Sequence, residues 1–130
     1  MVLKVIDGDT IDVKIIKGAK KRVRLIGIDT PEVYGGTDCW GPEASKWLKK
    51  RLPRGTRVKL ISDPSQDRKD RYNRLLRYVH KGAKDMNKAQ VRAGNAKVYV
   101  YDNTPFKRTK TYKSAQAKAK RADAGLWGNC

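Results

Sequence analysis

Apolar and polar residues alternate early in the chain at the spacing of two that marks a half-buried strand. Ile11, Val13 and Ile15 interleave with Asp12 and Lys14. After a turn at Lys17-Gly18-Ala19-Lys20, Val23 and Leu25 alternate with Arg22 and Arg24. The run breaks at Thr30-Pro31, because proline lacks a donor and steers the preceding residue away from helix. Tyr34-Gly35-Gly36-Thr37-Asp38 reads as a loop. The period then changes. Pro42 opens a helix whose Ala44, Trp47, Leu48 and Leu52 share one face, with Lys46, Lys49 and Lys50 opposite, ending at Pro53-Arg54-Gly55. Val58 and Leu60 predict a strand, Asp63 to Asp70 a polar loop, and Leu75 to Val79 a strand closing near Lys81-Gly82. Asn87 is the expected cap of a short helix through Val91, stopped by Gly94. Lys97 to Tyr101 reads as a short strand and Thr111 to Ala124 as an alanine-rich helix stopped by Gly125, with Leu126-Trp127 as an apolar anchor. Trp40, Trp47 and Trp127 read as core or tail anchors. Five strands with helices between and after them predict a mainly β, α+β fold, a small curved sheet or barrel with an OB-fold as the leading form.

Charge adds a second theme. The 130 residues carry 31 Lys plus Arg against 13 Asp plus Glu, a net charge of +18. That length suits one domain over residues 1–130 with a core that needs no staples. A field of this sign gathers polyanions such as nucleic acid and makes binding salt-sensitive. A thermophile's surface would balance its signs in ion-pair networks, and +18 is far from balance. No stretch approaches a membrane span and no leader is visible. The expectation is an intracellular protein or a domain supplied without its leader.

Against that basic background, carboxylates gather in two phrases, Asp7-Gly8-Asp9-Thr10 and Arg24-Leu25-Ile26-Gly27-Ile28-Asp29-Thr30-Pro31-Glu32. Acids grouped inside so basic a chain imply a held cation or a moved proton. Alone, Asp9 would be a turn aspartate and Asp29 a strand-end cap; the two together favour a ligand pair. One histidine, His80, and no C-x-x-C spacing argue against zinc. The cysteines, Cys39 and Cys130, lie far apart, and two readings stand: a disulfide fastening the C-terminal tail, or free thiols in a reducing compartment.

These two phrases, with Gly41-Pro42-Glu43-Ala44-Ser45, Asp70-Arg71-Tyr72-Asn73-Arg74, Ala96-Lys97-Val98-Tyr99-Val100-Tyr101 and Leu126-Trp127, resemble the thermonuclease (staphylococcal nuclease) family in order over essentially the whole chain. The resemblance implies a five-stranded OB-fold-like barrel with three helices. It also implies a Ca²⁺-dependent endonuclease hydrolysing DNA and RNA with little sequence preference, as a monomer with no membrane partner, leaving 3′-phosphate ends. Carried over residue by residue, Asp9, Asp29 and the Thr30 carbonyl would hold Ca²⁺, with Asp7 behind them. Glu32 would be the general base, and Arg24 together with Arg74 would clamp the phosphate. Arg71, Tyr72, Tyr99 and Tyr101 would grip the substrate. The chain departs from the family pattern in three places. The loop between Glu32 and Gly41 is shorter, lacks lysines and carries Cys39; Asn73 replaces a turn glycine; the Asp63 to Arg74 loop is one residue longer. The rival readings are a non-catalytic OB-fold nucleic-acid-binding module, an architectural or ribosome-associated OB-fold protein, and a bare structural domain. None of these needs the full set of acids and arginines.

Overall fold

A computed structural model describes the protein at every residue except 34, 35 and 37, so part of the loop expected at Tyr34 to Asp38 lies outside the described residues. The elements run β1 (Val2–Asp7), β2 (Thr10–Lys14), β3 (Lys20–Leu25), β4 (Ile28–Asp29), α1 (Gly41–Arg51), β5 (Lys59–Ile61), β6 (Leu75–Lys81), β7 (Lys84–Asp85), α2 (Met86–Arg92), β8 (Lys97–Val98), α3 (Thr109–Arg121) and α4 (Leu126–Asn129). The fold is mixed α+β. One sheet runs β1-β2-β3-β6-β5, with β7 paired to β6, and a two-stranded sheet joins β4 to β8. All pairs are antiparallel except β3 with β6.

The period-two segments become β2, β3 and β6. Ile11, Val13, Val23 and Leu25 are buried between the sheet and its helices, and each such side chain contributes about 1.5–3 kcal/mol over exposure. Asp12 is buried on β2 as well, because Arg22 reaches it from the facing strand with Nε and Nη2 at 2.8 and 3.2 Å. α1 buries Ala44, Leu48 and Leu52 along one stripe and exposes Lys46, Lys49 and Lys50, as its spacing predicts. Trp47 is half-buried, with the Arg51 guanidinium 3.6 Å above its ring.

Four details differ from the pattern-based reading. Among the described residues the strand ladder does not close into a barrel: β1 and β5 are its unpaired ends. Near that gap, Val2 N donates to Thr56 O and Gly55 N to Val2 O, both at 2.8 Å, just before β5 begins. Asn87 does not cap α2. Asp85 does, accepting from Lys88 N, while Asn87 lies inside the helix, fully buried. The expected strand through Tyr101 ends at Val98, and Tyr101 opens a 3₁₀ turn to Asn103. A further strand, β1, carries no clean alternation and is not named by the pattern. No helix is long and apolar enough to cross a membrane among the described residues.

Cys39 and Cys130 are joined by a disulfide across a sequence separation of 91. The bond ties the end of α4 to the residues just before α1. Closing so long a loop removes unfolded-chain entropy. Chemical denaturation with and without reductant is therefore expected to differ by about 2–4 kcal/mol in unfolding free energy. Coincident curves would show that the two sulfurs are not joined in solution.

Candidate active site

The turn between β1 and β2 projects Asp9 inward, and the end of β4 carries Asp29 and Thr30 to meet it. Gly8 permits this approach: a Cβ there would lie 2.8 Å from the Thr30 side chain. Asp9 is only 7% exposed. One of its oxygens accepts from Thr30 N and Thr30 Oγ1, each at 3.1 Å, and the other from Thr10 Oγ1 at 3.1 Å. Leu25 N donates to the Asp9 carbonyl at 2.9 Å, so the turn is also pinned to β3.

Arg24 completes the group from β3. Its Nη1 donates to the carbonyls of Leu25 and Ile28, both at 2.8 Å. Its Nη2 lies 3.4 Å from Asp9 and 3.9 Å from Asp29, between the two carboxylates. Nη1 is thus spent on anchoring, whereas Nη2 sits beyond the usual hydrogen-bond length and keeps donor capacity.

Glu32 follows at the surface. Its N–H donates to Asp38 Oδ2 at 3.1 Å, and Asp38 N donates back to the Glu32 carbonyl at 2.9 Å. Gly41 lets the chain close here, since a Cβ would meet the Glu32 carbonyl oxygen at 2.4 Å. Asp38 and Gly41 thus position Glu32, and nothing in the pattern of the sequence marks them for it.

The electrostatics are those of crowded acids. Burial alone would raise the Asp9 pKa, but the Arg24 charge and hydrogen bonds from Asp7, Thr30 and Thr10 outweigh it and hold the group low. Burial, then the Asp9 charge, pushes Asp29 up. Desolvation, then the charges of Asp9, Asp29 and Asp38, pushes Glu32 up. Asp7 rises to about 6, through burial and then the charge of Asp9 beside it. Asp7 Oδ1 also accepts from Asp9 N at 3.1 Å.

Asp7, Asp9, Arg24, Asp29, Thr30 and Glu32 therefore share one neighbourhood. The remaining candidates form two flanking groups. Arg74 pairs with Asp70, Nε to Oδ2 at 2.6 Å. Its guanidinium and that of Arg71 lie over the Tyr72 ring at 5.4 and 5.0 Å from the centroid. Tyr99 and Tyr101 stand with ring centroids 6.4 Å apart. The β4–β8 register puts Lys97 opposite Asp29, and Tyr99 N donates to Gly27 O at 2.9 Å, so these tyrosines adjoin the acids. Tyr72, Tyr99 and Tyr101 are exposed, whereas Tyr78 and Tyr112 are buried in the core.

Among the described residues no three His, Cys, Asp or Glu side chains are gathered tightly enough to chelate a metal alone. The donors present are all hard oxygens, two carboxylates beside a chain turn. That chemistry fits a hard divalent cation that takes its other ligands from carbonyl, water or phosphate oxygen.

Buried amides that the pattern leaves unmarked hold this site from behind. Gln90 Nε2 donates to Gly8 O at 2.7 Å and to Ala44 O at 3.3 Å. Asn95 Nδ2 donates to Gln90 Oε1, and Trp40 Nε1 to Asn95 Oδ1, each at 2.8 Å. The chain of bonds links the disulfide end of the molecule to the acidic turn. Asn87 likewise bridges Val79 N, Ile26 O and Arg77 O. A polar residue on a helix in so polar a chain gives no hint that it is buried.

Comparison with known proteins gives the following. Residues 22–129 match the family described as staphylococcal nuclease homologue. The chain is 35% identical over 131 residues to the thermonuclease of Staphylococcus hyicus, covering 98% of this chain and 75% of that protein. It is 36% identical over 129 residues to endonuclease YncB of Bacillus subtilis, covering 95% of this chain and 59% of that one. It is also 36% identical over 129 residues to the SPbeta prophage-derived endonuclease YokF of the same species, with 95% and 42% covered. The chain thus spans well under two thirds of the two Bacillus subtilis relatives.

The raised pKa of Asp7 makes its contribution to stability fall as pH rises. Native Asp7 keeps its proton to about pH 6, whereas an unfolded aspartate loses it near 3.8. Between those values the native state binds more protons, so its advantage is present below about pH 4 and lost as pH rises through 6. Asp7→Asn keeps the acceptor for Asp9 N and cannot ionise. Denaturation should find it more stable than wild type at pH 8, with a much smaller difference at pH 4. Equal differences at both pH values would contradict the raised pKa.

Proposed function

The chain belongs to the staphylococcal nuclease family, and from that premise we propose that it is a nuclease hydrolysing phosphodiester bonds in DNA and RNA with little sequence preference and with Ca²⁺ as cofactor. The observation that carries this reading is the cluster of Asp9, Asp29 and Glu32, where burial, and then the charges of the neighbouring acids, raise the pKa of Asp29 and of Glu32 within a chain of net +18. With Arg24 and, beside Asp29, Lys97 as the cations facing them, these acids remain short of positive charge.

Asp9, Asp29 and the Thr30 carbonyl would hold the ion, which when bound would neutralise phosphate charge and favour attack at phosphorus. Glu32 takes the proton from the attacking water, and its raised pKa brings it nearer the pH at which a general base works best. Arg24 directs Nη2 at a non-bridging phosphate oxygen while Nη1 stays on the backbone, so its charge is already in position as negative charge builds at phosphorus. Arg74, oriented through Nε by Asp70, offers its terminal nitrogens to the same phosphate. The P–O5′ bond breaks, leaving a 3′-phosphate and a 5′-hydroxyl. Arg71 and Tyr72 take a neighbouring phosphate, and Tyr99 and Tyr101 offer faces to a base. Exposure of all three rings supports the substrate role over cross-strand packing.

The same reading takes residues 1–130 as one nuclease domain acting as a monomer. It also takes the sheet as an OB-like barrel, a form supported by the backbone bonds of Val2 with Gly55 and Thr56.

Incubation with labelled single-stranded DNA and RNA, with Ca²⁺ or with EGTA, tests the proposal. Cleavage of both is expected with Ca²⁺ alone, with 3′-phosphate products. Equal cleavage in EGTA would sink the calcium assignment, and binding without cleavage in either condition would favour the non-catalytic module. Glu32→Gln is expected to lose about 10²–10⁴-fold in rate. Arg24→Lys should fall well below wild type, since an ammonium cannot hold two backbone carbonyls and a phosphate at once.

A further inference from the structure

We propose that the cleft between α2 and α3 is a second binding site, for the phosphodiester backbone of a nucleic-acid strand, separate from the carboxylate cluster. The cleft has a volume of about 480 Å³ and is lined by Lys88 and Arg92 from α2 and by Lys110, Thr111, Ser114 and Lys118 from α3, over buried Ala115. None of the acids or arginines of the candidate active site lines it.

Two stripes of cations face each other here. Lys88 and Arg92 lie one turn apart on α2, and Lys110 and Lys118 lie two turns apart on α3 with Ser114 between them. Neither helix contains an Asp or Glu. Like charges at such spacing oppose the fold by a few tenths of a kcal/mol per pair. Elsewhere the chain relieves its charge with acids: Arg22 with Asp12, Arg74 with Asp70 and Arg108 with Asp85. Among the described residues, no such ion pair involves Lys88, Arg92, Lys110 or Lys118. A fold that concentrates repulsion around a concave surface is complementary to an anion.

The size of the cleft identifies the anion's class. Lys110 and Lys118 are about 12 Å apart along the helix axis, so the four cations are strung along the cleft and one phosphate group would leave some of them unanswered. The ligand therefore carries several phosphates in a line, with Thr111 and Ser114 hydroxyls available as further donors. A membrane surface fits less well. Among the described residues the exposed large apolar side chains are Met1, Ile16, Tyr72, Tyr99 and Tyr101, and none of these lines the cleft to insert among lipid chains. This site does not depend on cleavage, and so it stands or falls apart from the nuclease reading.

Binding of a fluorescein-labelled 30-nucleotide single strand is measured by anisotropy in EGTA over a series of NaCl concentrations. The variant Lys88→Gln/Arg92→Gln/Lys110→Gln/Lys118→Gln is compared with a control of equal charge loss, Lys17→Gln/Lys46→Gln/Lys49→Gln/Lys50→Gln. The cleft variant is expected to bind at least tenfold more weakly near physiological salt. Its log–log salt slope should be shallower by about 3, four phosphate contacts at about 0.7 each. The control should change the slope by less than half as much. Equal effects of the two variants would reduce the site to bulk charge and overturn the proposal. So would an unaltered cleft variant, or a cleft variant that loses only binding to phosphatidylserine vesicles. Circular dichroism checks folding, and Lys110→Glu and Lys118→Glu, each a single exposed substitution, must weaken binding in the same direction.

Discussion

One buried carboxylate organises the molecule. Asp9 is nearly sealed from water, and an ionised group in that position is costly unless every oxygen is answered. Thr30, Thr10 and the charge of Arg24 answer it. Those partners come from the start of β2, the end of β4 and the middle of β3, so keeping Asp9 charged requires three parts of the chain to be in register. Gly8 allows the approach of Thr30, and Gln90 fixes the Gly8 carbonyl from α2. Removing one partner of a buried charge of this kind typically costs about 3–5 kcal/mol. Stability and the geometry of the site are therefore set by the same contacts.

From that centre the charges divide into two systems. The inner one is acidic and short of cations, with Asp29 and Glu32 pushed toward their neutral forms by burial and then by the charge of Asp9, and Glu32 also by that of Asp29. The outer one is basic and short of acids, most clearly across α2 and α3. On the proposed function, the outer field would draw a polyanion in, and the inner cluster would accept a cation that the polyanion's phosphate helps to hold. Exposed tyrosines stand nearby: Tyr99 and Tyr101 follow the strand that carries Lys97 opposite Asp29, and Tyr72 lies on the turn after Asp70. Arg24 belongs to both systems, with one nitrogen on the backbone and one facing outward.

Much of this was legible in the sequence where a residue's role repeats or is locally constrained. The alternation of Ile11 with Val13 and of Val23 with Leu25 reports burial directly, and the α1 stripe reports its face. The acidic phrases stand out because carboxylates are unexpected in a basic chain, and the order of motifs links them to the family. What stayed hidden depends on distant partners. Asn87, Gln90 and Asn95 look like ordinary surface amides, yet each is buried because a polar group far away in sequence needs it, backbone groups for Asn87 and Gln90 and the Trp40 ring nitrogen for Asn95. Asp85 displaces Asn87 as the α2 cap because β7, two residues long, delivers it there. The ion pair of Arg74 with Asp70 follows from a turn closed by hydrogen bonds to Asp70 from Tyr72 and Arg74.

The central claim, that the inner acids form a cation site, can be read without any turnover. Carboxylate carbons of Asp29 and Glu32 can be followed by ¹³C NMR through a pH titration, with and without Ca²⁺. The account predicts that both titrate above their unperturbed values in the metal-free protein, and that Ca²⁺ lowers Asp29 strongly and Glu32 less. Titration curves that Ca²⁺ leaves unmoved at both residues would contradict it.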